Sequence, residues 1–336
     1  MDRIELGGSG VSITRVVFGA MATRDNSRER QRENLHAALE AGVTAIDTAP
    51  LYDFGVSERL VGEETAGRRD AVQILTKVGL RWDGNHGRVL FRGPGTDGVM
   101  RTVRCDSRPL AVRRDVEESL ARLGTDVLDL VQVHRPDEDT PIADTMGELL
   151  RLRQEGKLRA IGVSNYSAEQ VRLAQHALGE VRLASHQLHY SLLERSAERE
   201  LGALAAQLGH RILAYSPLER GLLGGREPER APRDLRDALA TLRATAARCD
   251  ISPAQAALAW LLAQPRVGGV IVGAGTPEQA RDAAGAGAIA LEPADLAALD
   301  RAFAGVRAPH RSRPGLARRA LRKLRRVGTR ARGLLR

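Results

Sequence analysis

The stretch Arg15-Val16-Val17-Phe18-Gly19-Ala20-Met21-Ala22 decides the fold. Its first six residues form a short apolar run rich in β-branched side chains, the pattern of a buried strand. The residues at its end are more informative. A doubly wound open sheet usually places a glycine-rich phosphate turn after its first strand, yet this chain has no Gly-x-Gly-x-x-Gly there. Further runs of the same kind lie at Ala45–Ala49, Val72–Val78, Val127–His134, Leu158–Ser164, Leu183–His189, Arg211–Ser216 and Val267–Val272. Between them come stretches such as Glu29–Ala41 and Leu110–Leu123, where apolar residues recur at three and four positions, as on one face of a helix. Ser57, Ser167 and Thr276 are candidate N-caps, and Gly42, Gly124, Gly156 and Gly209 each close a helix just before a strand, where a left-handed residue is cheapest. The alternation of strand and helix predicts an α/β chain closed into a (β/α)8 TIM barrel, with its active site at the C-terminal strand ends.

Composition agrees with one large globular unit. Of 336 residues, 43% are hydrophobic and 28% charged, enough to build a core. Aromatics make up only 3%, so that core is mainly aliphatic. Cys105 and Cys249 fit neither a metal spacing nor a disulfide framework. With no leader-like segment and no run of about 18 apolar residues, the expected setting is cytoplasmic. The net charge of +9 is concentrated at one end: residues 307–336 carry twelve Lys or Arg and no acid, leaving 39 basic against 42 acidic residues elsewhere. The predicted organisation is a barrel over 1–306 and a basic, helical or disordered tail over 307–336. Two stretches interrupt the alternation, Leu80–Arg108 and Glu219–Arg236, and are expected to be loops or extra helices over the mouth.

In a parallel barrel the reactive mouth is built by the C-terminal ends of the strands. Asp47 lies near the end of the second run, Tyr52 in the loop after it, Lys77 near the end of the third and His134 at the end of the fourth. Taken singly, an Asp caps, a Lys snorkels, a Tyr packs and a His is structural. Together they point to proton transfer without metal or covalent intermediate. A tyrosine is a poor acid at neutral pH unless a cation stabilises its phenolate. Lys77 would be that cation, Asp47 would keep it charged, and His134 would orient a carbonyl oxygen. His186 and His189 fall on opposite faces of their strand by parity and are not read as a metal pair.

At these positions the chain resembles the aldo-keto reductase superfamily, from about Ile4 to Ala304. The matching segments are Asp47-Thr48-Ala49-Pro50-Leu51-Tyr52, Ser57-Glu58-Arg59-Leu60-Val61-Gly62, Thr76-Lys77, Ser119–Asp126 and Gly156–Asn165. The resemblance implies a catalytic tetrad of Asp47, Tyr52, Lys77 and His134, with Tyr52 as proton donor in carbonyl reduction, and NADPH/NADP+ as cofactor, NADH being possible. It also implies a nicotinamide site of Ser164, Asn165 and Gln187, with Tyr215 stacked on the ring and Gly19, Met21 and Asp47 nearby. Phosphate and adenosine contacts would come from Ser216, Pro217, Leu218, Arg220, Gly221 and Arg226 after the seventh strand, and from Gly273, Gly275, Gln279 and Asp282 after the eighth, where helix N–H groups can hold an anion. Here the chain departs from its relatives: Gly275 and Ala283 stand where they usually carry Arg and Asn. A guanidinium is what grips a 2′-phosphate, so Arg226 or Arg281 would have to compensate.

The substrate expected is a small carbonyl compound or alcohol, walled by Met21, Tyr52, Phe54, Trp82, His86, His134 and Arg135. Arg135 replaces a tryptophan common in relatives; it suggests a polar, sugar-like or anionic substrate, or else is a solvated loop residue. The basic tail, with apolar residues at helical spacing among arginines, is a solvated extension or a surface for an anionic membrane, nucleic acid or an acidic protein. The competing function is a cofactor-binding regulatory or scaffold protein, as in the beta subunits of potassium channels, which resemble this fold. A metal-dependent barrel hydrolase or isomerase would need clustered ligands or paired carboxylates.

Overall fold

The computed structural model describes residues 2–21, 27–226 and 231–307. Eight parallel strands close in chain order: β1 (Val16–Gly19), β2 (Ala45–Asp47), β3 (Gln73–Val78), β4 (Leu128–Val133), β5 (Leu158–Ser164), β6 (Ser185–His189), β7 (Arg211–Tyr215) and β8 (Val267–Val272), which pairs back to β1. Each arises from one of the eight apolar runs, trimmed at its ends. Around them pack α1 (Arg28–Glu40), α2 (Val56–Thr65), α3 (Pro109–Leu123), α4 (Ile142–Gln154), α5 (Ala168–Leu178), α6 (Glu200–Leu208), α7 (Arg233–Arg248), α8 (Pro253–Leu262), α9 (Pro277–Gly285) and α10 (Pro293–Phe303). No described helix is long and apolar enough to cross a membrane. Apart from Arg307, the basic tail lies outside the described residues.

The period-two alternation of the strands divides the core in two. Val16, Ile46, Ile74, Val131, Ile161, Ile212 and Val270 face the helices, whereas Val17, Ala45, Leu75, Leu130, Ala160, Leu213 and Ile271 fill the barrel. The inner side chains include several small ones, and the space at the bottom is taken by a short antiparallel hairpin, Arg3–Glu5 with Ser12–Thr14. This hairpin delivers Leu6, Val11 and Ile13 into the inner cluster. The hairpin packs the floor of the barrel, and the polar strand-end residues lie at the opposite end.

The helix signals are met with one correction. Ser167 caps α5 in a capping box and Thr276 caps α9, while Gly42, Gly124, Gly156 and Gly209 all have positive φ. Ser57, expected as a cap, instead sits inside α2, where its hydroxyl donates to the carbonyl of Ala20 at 2.8 Å and meets the Thr48 hydroxyl at 2.9 Å. Next to it, the fully buried Glu58 accepts from Thr76 (2.7 Å) and Arg122 (2.6 Å). The Ser57-Glu58 motif therefore clamps α2 to β1, β2, β3 and α3 beneath the mouth.

A second correction concerns Leu80–Arg108, which is neither loop nor helix but a three-stranded antiparallel sheet of Leu80–Arg81, Val89–Pro94 and Met100–Cys105. Arginine, glycine and proline interrupt its strands, so no clean apolar alternation marks it. The turn Thr96-Asp97-Gly98 between Val89-Leu90-Phe91 and Thr102-Val103 is the signal that could have found it. Arg81 anchors the sheet to α3 through Asp115. In the second interrupting stretch, a short 3-10 turn spans Glu219–Gly221 and α7 begins at Arg233.

Candidate active site

At the mouth, β2 and β3 present Asp47 and Lys77 into the barrel, each only 1% exposed. Parity sends Asp47 to the same side as Ala45, and Lys77 to the same side as Leu75. The Lys77 Nζ is 2.7 and 2.9 Å from the two Asp47 oxygens, 3.0 Å from the Thr48 carbonyl and 3.1 Å from the Tyr52 hydroxyl. An ammonium has three protons, and these acceptors use them all. Tyr52 thus accepts from Lys77, and its own O–H proton remains free to donate. Gln187 on β6 donates to Asp47 from the other side at 2.8 Å. The Thr48 carbonyl and this Gln187 bond are parts of the site that residue types alone did not reveal.

Charge balance at the centre differs from expectation. Burial would push Lys77 down, but the charge and hydrogen bonds of Asp47 outweigh it and the pKa is raised. For Tyr52 burial is the largest influence; Lys77 opposes it, Asp47 adds to it, and the hydroxyl ends above its ordinary value. The lysine alone was expected to depress the tyrosine; the carboxylate beside it cancels much of that field. His134 is driven well below the ordinary imidazole value by burial, then by Lys77 and Arg135. Its ring stands edge-on to Tyr52 with centroids 6.1 Å apart, and burial favours its neutral form.

The loop carrying Tyr52 is held in an unusual shape. Asp53 and Phe54 adopt left-handed φ of 49° and 52°, and the Asp53 carboxylate accepts from the Thr96 N–H at 2.8 Å, tying the loop to the sheet above it. Phe54 packs edge-on against Trp82 at 5.2 Å, with the Arg101 guanidinium over its ring at 4.6 Å. His86 and Arg135 are exposed; Arg135 lies near enough for its charge to act on both His134 and Tyr215. The expected wall residues Phe54 and Trp82 thus meet directly, while His86 is exposed to solvent.

A second cluster faces the first. Asn165, left-handed at φ 61°, donates to the His134 carbonyl (3.0 Å) and the Ser164 hydroxyl (2.9 Å), and its Oδ1 accepts from the Tyr215 hydroxyl at 2.8 Å. Tyr215 lies parallel to His189, 5.4 Å between centroids. The donor set suits a nicotinamide: the Ser164 hydroxyl and the Gln187 carbonyl oxygen can meet a carboxamide, and the tyrosine face can meet a flat ring. Beyond it, Ser216, Glu219 and Arg220 have positive φ, and the segment from Pro217 and Leu218 to Gly221 turns tightly, with the Arg226 N–H bonded back to the Gly221 carbonyl at 3.1 Å.

After β8, Gly273 adjoins Gly19, and Met21, 59% exposed, shares a small cleft with Gly19, Asn34 and Ala274. Gln279 caps the Gly275 N–H at 2.9 Å. Asp282 is turned away, its carboxylate accepting from Ser252 at 2.7 Å. Arg281, considered as compensation for Gly275, reaches Glu40 at 3.2 Å and is thereby directed toward α1.

A closed parallel barrel whose mouth joins a buried ion pair, a tyrosine bonded to it and a polar shelf beside a flat aromatic face defines a class, that of the nicotinamide-using barrel oxidoreductases. Residues 15–304 match the model of the aldo/keto reductase family. The chain is 33% identical to an NADH-specific methylglyoxal reductase of Escherichia coli over 322 residues, covering 88% of this chain and 96% of that one. It is 33% identical to a 6-dehydroglucose reductase of Novosphingobium aromaticivorans over 291 residues, 85% and 89% of the two chains. A glycerol dehydrogenase from Gluconobacter oxydans superposes with a TM-score of 0.79 at 31% identity, covering 94% of this chain and 98% of the other. The chain belongs to the aldo/keto reductase family and is an NAD(P)-dependent oxidoreductase.

Proposed function

We propose that the protein reduces an aldehyde, ketone or sugar carbonyl, with Tyr52 as the proton donor, Lys77 and Asp47 as its charge partners and His134 as the group that orients the carbonyl oxygen. The observation that carries this is the Lys77 ammonium, saturated by Asp47, Thr48 and Tyr52, with the phenol 3.1 Å away. Among the described residues that arrangement leaves the phenolic proton without a protein acceptor. When bound, the nicotinamide supplies or accepts the hydride; Ser164, Asn165, Gln187 and Tyr215 are the residues to hold it. The raised pKa of Tyr52 keeps the donor protonated through neutral pH, so reduction stays level there and the reverse oxidation gains as pH rises.

Among cofactors we favour NADH at least equally with NADPH. At the start of α9, Glu278 places its own carboxylate on the helix N-terminus, held below the usual range by its backbone N–H and by Thr276. A second anion, a 2′-phosphate, is unwelcome beside it, and the arginine that would offset this is missing at Gly275. The relative from Escherichia coli that is named for NADH specificity supports this reading. The test is a fluorescence titration with both dinucleotides, followed by a panel of aldehydes, ketones and sugars. Equal or tighter NADH binding with turnover of panel members is expected; NADPH tighter by about tenfold, or 1.4 kcal/mol, overturns the cofactor preference, and tight binding without any turnover overturns the reductase assignment.

A further inference from the structure

Glu219 follows β7 in a segment that has three non-glycine residues in left-handed backbone, Ser216 at φ 54°, Glu219 at 46° and Arg220 at 56°. Such backbone is disfavoured for L-residues and persists only where its surroundings hold it. One side chain does so here. The Glu219 carboxylate, 12% exposed, accepts from His189 Nε2 at 2.7 Å and from the Ser191 hydroxyl at 2.7 Å. Ser191 is in turn fixed by the N–H groups of Leu193 and Glu194, 3.1 and 3.0 Å away. His189 is also the cross-strand neighbour of Tyr215, lying parallel to its ring with an interplanar angle of 12°. A single imidazole therefore supports the back of the stacking tyrosine and pins the segment beyond it.

We propose that His189 and Glu219 are positioning residues for the nicotinamide cofactor, a charge-paired latch that sets the Tyr215 face and the Ser216–Gly221 turn together and holds the dinucleotide more tightly while the imidazole is protonated. This rests on the cofactor placement proposed above. The groups facing His189 are Glu219 and Arg220 from the turn, Glu194 from the loop after β6, and Tyr215 from β7. The hydrogen bond that His189 donates to Glu219, opposed by burial and by Arg220, raises the histidine. Burial would raise Glu219, but the bonds from His189 and Ser191 outweigh it and the carboxylate is lowered. The raised imidazole holds the latch shut most firmly below its ordinary value and less so as pH climbs through the folded value; dinucleotide affinity follows because the latched turn is the conformer that binds it. Above that value the neutral ring still donates, without the charge assistance.

The experiment measures Kd for NADH and for NADPH from about pH 6 to about pH 9 on the full chain, with His189→Gln and Glu219→Gln beside the wild type and thermal melts to certify folding. Wild-type affinity is expected to fall about fivefold over that range, the gap between a charge-assisted and a neutral hydrogen bond. His189→Gln, which keeps a donor but not the charge, should be flat at the alkaline wild-type value, with KM for cofactor raised and kcat little changed. A merely structural pair would shift the melts and leave the pH slope intact. The same slope in wild type and His189→Gln, or no slope in wild type, overturns the latch. A wild type that binds neither dinucleotide at any pH overturns the cofactor placement, and the latch with it.

Discussion

Lys77 shows how one side chain sets the chemistry of its neighbours. Buried to 1% exposure, it is tolerable only because Asp47 lies within 2.9 Å at both oxygens; an unpaired charge there would face a large desolvation cost. Lys77→Met should therefore cost about 3–5 kcal/mol, because it strands a buried carboxylate, with Gln187 as that carboxylate's remaining side-chain partner among the described residues. Urea denaturation reads this directly, and adding Asp47→Asn should recover most of the loss. A single variant within about 1 kcal/mol of wild type would mean the pair is solvated and the site differently arranged. The residue types and strand-end positions of the four central groups were legible in the sequence. The sign of the tyrosine shift was not, because it depends on how burial and the adjacent carboxylate offset the lysine, which spacing does not encode.

At the scale of elements, glycine in β5 marks where the inner face is tightest. A Cβ on Gly162 would stand 2.9 Å from the Gln132 side chain and clash with the Ser185 hydroxyl. Those two side chains meet each other at 3.1 Å, and Gln132 is the cross-strand register partner of Lys77. Gly162→Ala should destabilise by about 1–3 kcal/mol through overpacking, and Ser185→Ala added to it should return part of that. Equal melting temperatures for wild type and Gly162→Ala would refute this packing of the inner face. All eight barrel strands were readable because each is a continuous apolar run buried on both faces. The sheet over the mouth was not, because its strands carry Arg92, Arg101 and Arg104 where an apolar stripe would run. His189 offered a signal of its own: it shares parity with Gln187, which points it toward the mouth.

Over the whole molecule the barrel is packed at one end by Leu6, Val11 and Ile13 and carries the proposed active site at the other, so the proposal assigns catalysis and stability to opposite faces. The family match ends at residue 304, and residues 307–336 carry the excess positive charge. Truncation after Arg307 is expected to leave carbonyl reduction and dinucleotide affinity unchanged; loss of either would place the tail in the working enzyme. The central claim is that this fold brings a tyrosine proton to a carbonyl beside a bound nicotinamide. Tyr52→Phe removes one oxygen and leaves the cofactor shelf on β5, β6 and β7 untouched. With the best substrate of the panel, followed by the near-ultraviolet absorbance of the reduced nicotinamide, the variant should bind dinucleotide as wild type does and turn over at least about a hundredfold more slowly, the lower bound for losing a general acid. Turnover within a few-fold of wild type would contradict the account.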